Sequence, residues 1–514
     1  MKKTSFSIIL SFLLAACLLL CACSSGQGKP AAVAEDGEAF VFPEGETDFS
    51  TLRTPGSQEA AYTYQYFFLP EQDNGVQAYV GDTMPYYEDG TYYIYYLKEG
   101  GDSYNHSIYL TTTTDFVTYT EQDAVVLESS RSGGQDGWVG TGSVVKVKDT
   151  YYFFYTGHAG SDTYEYKEKI LVAKSSDLTS FTRVEGFEIV PPHELGQKND
   201  FRDPQAYYDA ASDTITLTVT ASQSNKARIL KYTLSGDLAT QTYDGIIFTD
   251  EKEGFWNLEC SETFQIGNYY YLTYSAQEDT LWYAVSDAPY GPYSEPVRLD
   301  GDLFYAAKHI EDGSNIYMVG WARRSESVSS TQDVSGWAGN LAVQKVVQNA
   351  DGSLTLAPVD ALINQFTQRR QLLVDTMTVS LSSGSAYSYT ELCTAYERFL
   401  LTGTIRFEKN GTFGLAFDYN GRTDKYKTIT LDPAGDKLSL QFNEGETLIT
   451  ETAAPIEPNK DYTFTYVQEG SVGIFTLDGI ASLTVRLYGV SGKPIRLFTE
   501  NNTVTISDLK QYTR

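Results

Sequence analysis

A five-fold rhythm constrains this chain more than any single motif. Runs rich in aromatic and β-branched residues recur along its middle: YYIYYL from Tyr92, YYFFYTG from Tyr151, TITLTVTA from Thr214, YYYLTYSA from Tyr269 and NIYMVGWA from Asn315. Each is followed by a second run closing on a turn signal: IYLTTTTDF from Ile108, ILVAKSSDL from Ile170, ILKYTLSGDL from Ile229, LWYAVSDAPYG from Leu281 and LAVQKVVQNADG from Leu341. Strand-forming runs bounded by Gly, Asp and Asn, repeating every ~45–65 residues, have the period of four-stranded propeller blades. Five such units predict an all-β fold built on a five-bladed β-propeller over residues 61–359. Residues 360–374 read as a linker, and about ten further strand runs over 375–514 predict a β-sandwich.

Ahead of the repeat the sequence has a different character. Lys2-Lys3, an apolar run through Leu20 and the segment Leu20-Cys-Ala-Cys23-Ser have the layout of a bacterial lipoprotein signal, with an apolar run short for a spanning helix. This predicts a signal peptide over 1–22, lipidation at Cys23 (Cys17 is a second match) and a small, polar, acidic tether over 23–60. The implied location is the cell surface, held to the outer face of the cytoplasmic membrane through the lipid anchor only. Beyond the signal only Cys260 and Cys393 remain, which gives no disulfide framework and no CxxC zinc site. The four histidines, His106, His158, His193 and His309, lack metal-motif spacing, so no metal and no cofactor is implied. A formal charge of -29 excludes nucleic acid as a partner, because binding to a polyanion needs the opposite sign.

The repeat supplies a register. The first strand of a blade lines the central channel, so matching positions on successive blades converge on one axis. Asp82 lies ten residues ahead of Tyr92, Asp203 eleven ahead of Thr214, and Glu259 ten ahead of Tyr269. On the other two repeats Ser143 lies eight ahead of Tyr151 and Tyr305 ten ahead of Asn315. Phe201-Arg202-Asp203-Pro204 taken alone is an ordinary Asp-Pro turn. Its phase with two other carboxylates reads instead as chemistry. Converging carboxylates suit glycosidic bond cleavage, in which one carboxyl donates a proton to the leaving oxygen and another stays ionised. Phe255, Trp256, Leu258, Cys260 and Phe264 around Glu259 predict a desolvated group suited to the acid. Gly81 and Thr83 beside Asp82 predict an anionic nucleophile, and Arg202 predicts an ionised Asp203. Arg202, Trp138, Gly142, Ser143, Trp256, Tyr305 and Trp321 are the candidate sugar-binding residues.

At this point the motifs take on a family likeness. Phe201-Arg-Asp-Pro204, Glu259-Cys260, Gly140-Thr-Gly-Ser143 after Trp138, and Gly336-Trp-Ala-Gly339, in this order and spacing, resemble those of glycoside hydrolase family 32. That family holds invertases, levanases, inulinases and fructosyltransferases. The resemblance implies Asp82 as nucleophile forming a fructosyl-enzyme intermediate, Asp203 as transition-state stabiliser and Glu259 as general acid/base. It also implies retention at the anomeric carbon and a fructan or fructose-containing oligosaccharide as partner. The chain departs from the family pattern at Gly81, where Asn is usual, at Leu97, where Gln is usual, and at Glu259-Cys-Ser-Glu262 in place of Glu-Cys-Pro-Asp. Reaction class therefore carries over further than linkage preference, exo or endo action, or transfer to sugar in place of water. The residues alone leave open an inverting arabinan or xylan hydrolase of the family 43 type, and a sugar-binding propeller without catalysis. A hinged α/β solute-binding lipoprotein is at odds with the continuous β pattern.

Overall fold

Blade one is built from Tyr79–Glu88, Thr91–Glu99, Ile108–Thr113 and Thr120–Glu121. Blade two follows with Trp138–Val147, Thr150–His158, Glu168–Ser175 and Thr182–Arg183. Blade three comprises Phe201–Asp209, Thr214–Gln223, Lys226–Ser235 and Gln241–Phe248. Blade four comprises Leu258–Ile266, Tyr269–Ala276, Thr280–Ser286 and Val297–Arg298. Blade five closes the series with Phe304–Glu311, Ile316–Arg324, Gly336–Gln348 and Leu354–Pro358. Every blade runs as four antiparallel strands in chain order, and blades one and five are joined into one eight-stranded sheet where Val80 pairs with Gly339. This computed structural model describes residues 62–514 except 72–76, 101–105, 162, 197, 278, 325–335, 421–424 and 443–446. The stretches read as signal peptide and tether, with Cys23, lie outside the described residues.

The first strand of each blade is innermost. Each of these strands packs on the next, and Tyr79–Glu88 meets Phe304–Glu311, so the five close a ring. Side chains on one innermost strand clasp the backbone of the neighbouring blade. Ser143 Oγ accepts from the Ala206 amide at 2.8 Å, Gln205 Oε1 from Thr263 at 2.6 Å and Glu262 Oε2 from His309 at 2.6 Å. Thr83 Oγ1 donates to the Val319 carbonyl at 2.6 Å. Each bond pairs a buried polar side chain with the backbone of the neighbouring blade.

All five innermost strands carry one extra residue at the same height. Gly81 and Asp82 together oppose Leu97, and Gly140 and Thr141 oppose Thr156. Asp203 and Pro204 oppose Val219, Cys260 and Ser261 oppose Tyr274, and Ala306 and Ala307 oppose Gly320. A bulge of this kind breaks the alternation of side chains and re-aims one of them. It explains Pro204: a residue without an amide donor is tolerated where the ladder is already interrupted.

Beyond Pro358 a short helix, Asp360–Ile363, leads into two antiparallel sheets facing one another over an aliphatic and aromatic core. The fold is thus the expected propeller and sandwich. Gln368–Arg369, within the stretch read as linker, already pairs with the last sandwich strand, Thr503–Thr513. The two parts share a polar seam. Buried Arg486 donates to the Ala322 carbonyl at 2.7 Å and to Asn340 Oδ1 at 3.0 Å. Buried Asp300 accepts from the Thr484 amide at 2.8 Å and Gln344 Nε2 at 2.8 Å, yet burial still pushes its carboxyl up to about 6.

Candidate active site

The three carboxylates occupy successive positions of one recurring bulge. Glu259 is the residue before it on blade four, Asp203 its first residue on blade three and Asp82 its second residue on blade one. The phase seen in the sequence is therefore correct to within two residues and not identical. Asp203 reaches the channel through a left-handed backbone, φ 58, as do Cys260 at φ 51 and Ala306 at φ 49 in the same bulge position. A left-handed non-glycine costs of order 1 kcal/mol and persists only where its surroundings fix it. Here the Asp203 amide donates to Thr156 Oγ1 at 2.9 Å, and Asp203 Oδ2 accepts from the Cys260 amide at 2.8 Å.

Asp82 is held by two donors, Thr141 Oγ1 at 2.9 Å and Trp321 Nε1 at 3.3 Å. Burial raises its carboxyl from the ordinary aspartate value and the charge of Glu259 raises it further, against those two hydrogen bonds. The sequence reading of a low, readily ionised Asp82 is corrected: Gly81 and Thr83 are themselves buried, and Thr141 of blade two and Trp321 of blade five close in on the side chain. Asp203 is likewise pushed up to about 6, by burial first, with Arg202 and Lys308 opposing and Glu259 adding.

Arg202 turns away from its neighbour Asp203. Its guanidinium donates to Glu168 Oε1 at 3.2 Å, Asp200 Oδ1 at 3.2 Å and Glu259 Oε1 at 3.0 Å. Consecutive strand residues point to opposite sides, and the bulge after Arg202 sharpens the divergence. Burial alone would raise Glu168, but His158, Arg202 and the Phe201 amide outweigh it and hold that carboxyl at about 2. Glu259 also accepts from Tyr305 Oη at 2.5 Å and Gln277 Nε2 at 3.0 Å. The apolar setting expected for Glu259 is thus replaced by a polar one. Its flanking hydrophobes pack between blades, whereas its carboxyl faces an arginine, an amide and a phenol.

An aromatic wall climbs from these groups to the rim. Tyr305 contacts Trp321 at 5.4 Å, Trp321 contacts Trp337 at 5.9 Å, and His106 stacks on Trp337 at 4.9 Å with planes 15° apart. Trp138 ends the series edge-on to His106 and is 40% exposed. Rings graded from buried to exposed suit the apolar faces of sugars. Trp256, three residues ahead of Glu259, is also exposed.

Two candidates fall elsewhere. Gly142 is packed into the blade, where a Cβ would meet the Phe154 carbonyl at 2.0 Å. Ser143 faces blade three and lines an 890 Å³ cavity at the other end of the channel, with Tyr86, Tyr207, Phe264 and His309. None of the three carboxylates lines that cavity. In Gly140-Thr-Gly-Ser143 it is Thr141 that reaches the site, because the bulge swings it inward. Thr141, His106, Gln277 and Glu168 are not singled out by the sequence, and of these only Thr141 lies in a motif, Gly140-Thr-Gly-Ser143, that could signal it; Trp337 lies in the Gly336-Trp-Ala-Gly339 motif.

A five-bladed propeller that gathers three carboxylates and an arginine beneath a wall of tryptophans defines a glycoside hydrolase. Residues 82–358 match the model of the glycosyl hydrolases family 32 N-terminal domain. The chain belongs to glycoside hydrolase family 32 and is a hydrolase of the β-fructofuranosidase type. It is 25% identical over 404 residues to a sucrose-6-phosphate hydrolase of Escherichia coli, covering 73% of this chain and 79% of that one. A sucrose-6-phosphate hydrolase of Staphylococcus xylosus is 24% identical over 378 residues, 68% of this chain and 72% of that one. Among solved structures, the exo-inulinase of Aspergillus awamori superposes with a TM-score of 0.71 at 16% identity, covering 90% of this chain and 99% of that one.

Proposed function

We propose that this enzyme cleaves β-fructofuranosyl linkages in fructans or sucrose-type oligosaccharides with retention, through a fructosyl-enzyme intermediate. The observation that carries the reading is the placement of Asp82, Asp203 and Glu259 in one recurring bulge around one channel mouth. Asp82 attacks the anomeric carbon. Thr141 and Trp321 aim its carboxylate and leave it no other partner among the described residues. Glu259 protonates the leaving oxygen and then, as base, takes a proton from water. Tyr305, Gln277 and Arg202 hold its carboxylate after that proton has left. Buried Asp203 balances the positive charge that develops on the fructosyl ring. Names of the relatives support sucrose derivatives and inulin as the substrate class.

Incubation with sucrose, inulin and levan, each followed by product chromatography, tests the reading. Release of fructose by the wild type, abolished in Asp82→Asn, supports it. Inactivity on all three with release of arabinose from arabinan overturns it.

The amino-terminal signal supports a further part of the reading, that the mature enzyme begins at a lipidated Cys23 and works at the cell surface. Incorporation of labelled fatty acid that is lost in Cys23→Ala tests this, and an unlabelled, freely released wild type contradicts it.

A further inference from the structure

Beneath the catalytic carboxylates stands a buried cation with no ion-pair partner among the described residues. Lys308 directly follows the bulge on the innermost strand of blade five and is 0% exposed. Its Nζ reaches past blade one to blade two, where it donates to the Gly142 carbonyl at 2.7 Å. Gly142 follows Thr141, the donor that fixes Asp82. Lys308 therefore braces, from the opposite blade, the segment that orients Asp82.

An ammonium withdrawn from water is costly, and a single neutral carbonyl does not offset the loss of its hydration. What offsets it is the field of the carboxylates, and the effect is reciprocal. The charges bearing on Asp203 are those of Arg202, Glu259 and Lys308, and Glu259 bears on Asp82 as well. Arg202 is the stronger of the two cations acting on Asp203, yet its guanidinium is also shared among Glu168, Asp200 and Glu259. Lys308 makes no such contact and its charge is undivided.

We propose that Lys308 is a positioning residue of the fructosyl-cleaving reaction: it braces the Thr141–Gly142 segment against Asp82 and keeps Asp203 anionic as positive charge develops on the sugar. This rests on the carboxylate roles assigned above. The residue touches neither substrate nor reacting atoms and acts through Asp82 and Asp203.

Lys308→Met separates this role from a structural one. Removing one member of a compensating set of buried charges leaves the carboxylates unbalanced, so Tm should fall at neutral pH and recover in acid as Asp203 takes up its proton. On sucrose, kcat/KM should fall about tenfold or more, with the loss in kcat and not in KM. The acid limb of the pH profile should move up by about one unit, since loss of a cation favours the protonated form of Asp203. Lys308→Arg, which keeps the charge, should return the limb toward the wild-type position. Wild-type kcat/KM and an unmoved limb in Lys308→Met overturn the proposal. So does a fall in Tm that persists in acid with activity lost evenly across pH, or failure of both variants to fold, since either makes Lys308 a strut. Asp203→Asn is the control for the underlying assignment: full activity there overturns the role of Asp203 whatever Lys308→Met does.

Discussion

The ring of Trp337 fills the space a side chain would need at position 81: a Cβ on Gly81 would come within 2.2 Å of it. Gly81 directly precedes Asp82, so the indole sits over the backbone that presents that carboxylate. The glycine found where the family usually has asparagine is thus half of a pair, and Trp337 is the other half. Gly81→Ala should cost about 1–3 kcal/mol of stability through overpacking and lower kcat by displacing Asp82. Trimming Trp337 to Leu in the same chain should recover part of both losses. Thermal melts and sucrose kinetics on the two singles and the double variant measure the coupling.

Asp203→Asn should abolish activity yet raise stability. Burial lifts the Asp203 carboxyl from 3.8 to about 6, so its contribution is fully present below about pH 4 and is lost as pH rises through 6. At neutral pH the ionised group is therefore a burden of about 2–3 kcal/mol, which asparagine removes. Denaturant titrations should show the variant more stable at neutral pH, with the difference vanishing in acid.

The same shift sets the pH dependence of catalysis. If Asp203 must be anionic, kcat/KM should fall as pH drops through about 6, where an unperturbed aspartate would sustain activity two units lower. A profile flat down to pH ~4 would remove Asp203 from the set of groups that must ionise.

Fold class was legible in the sequence because propeller blades repeat their strand and turn chemistry, and a five-fold period survives the irregular spacing of loops. The carboxylates were legible because repetition carries a register. Their fine arrangement was not, because one bulged residue shifts which side chain faces the channel. That is why Ser143 was chosen where Thr141 reaches Asp82, and why Arg202 was expected beside Asp203 when it grips Glu259 and Glu168. His106 and Gln277 come from loops between strands, where no periodicity points to them.

Glu168 offers a test of that network. Its carboxyl is held at about 2, so the stability it confers is present above about pH 4.5 and lost as pH falls through 2. Glu168→Gln should cost about 3 kcal/mol at neutral pH and free Arg202 to move. The loss should shrink in denaturant titrations run progressively below pH 4, and activity should fall at every pH.

The central claim is a covalent fructosyl intermediate on Asp82, and the stereochemistry of its capture tests this most directly. Wild-type enzyme given sucrose in aqueous methanol should yield methyl β-D-fructofuranoside, identified by the 13C resonance of its anomeric carbon. Asp82→Asn should yield none. Methyl α-D-fructofuranoside, or fructose released only as the inverted anomer with no methanol captured, would contradict the account.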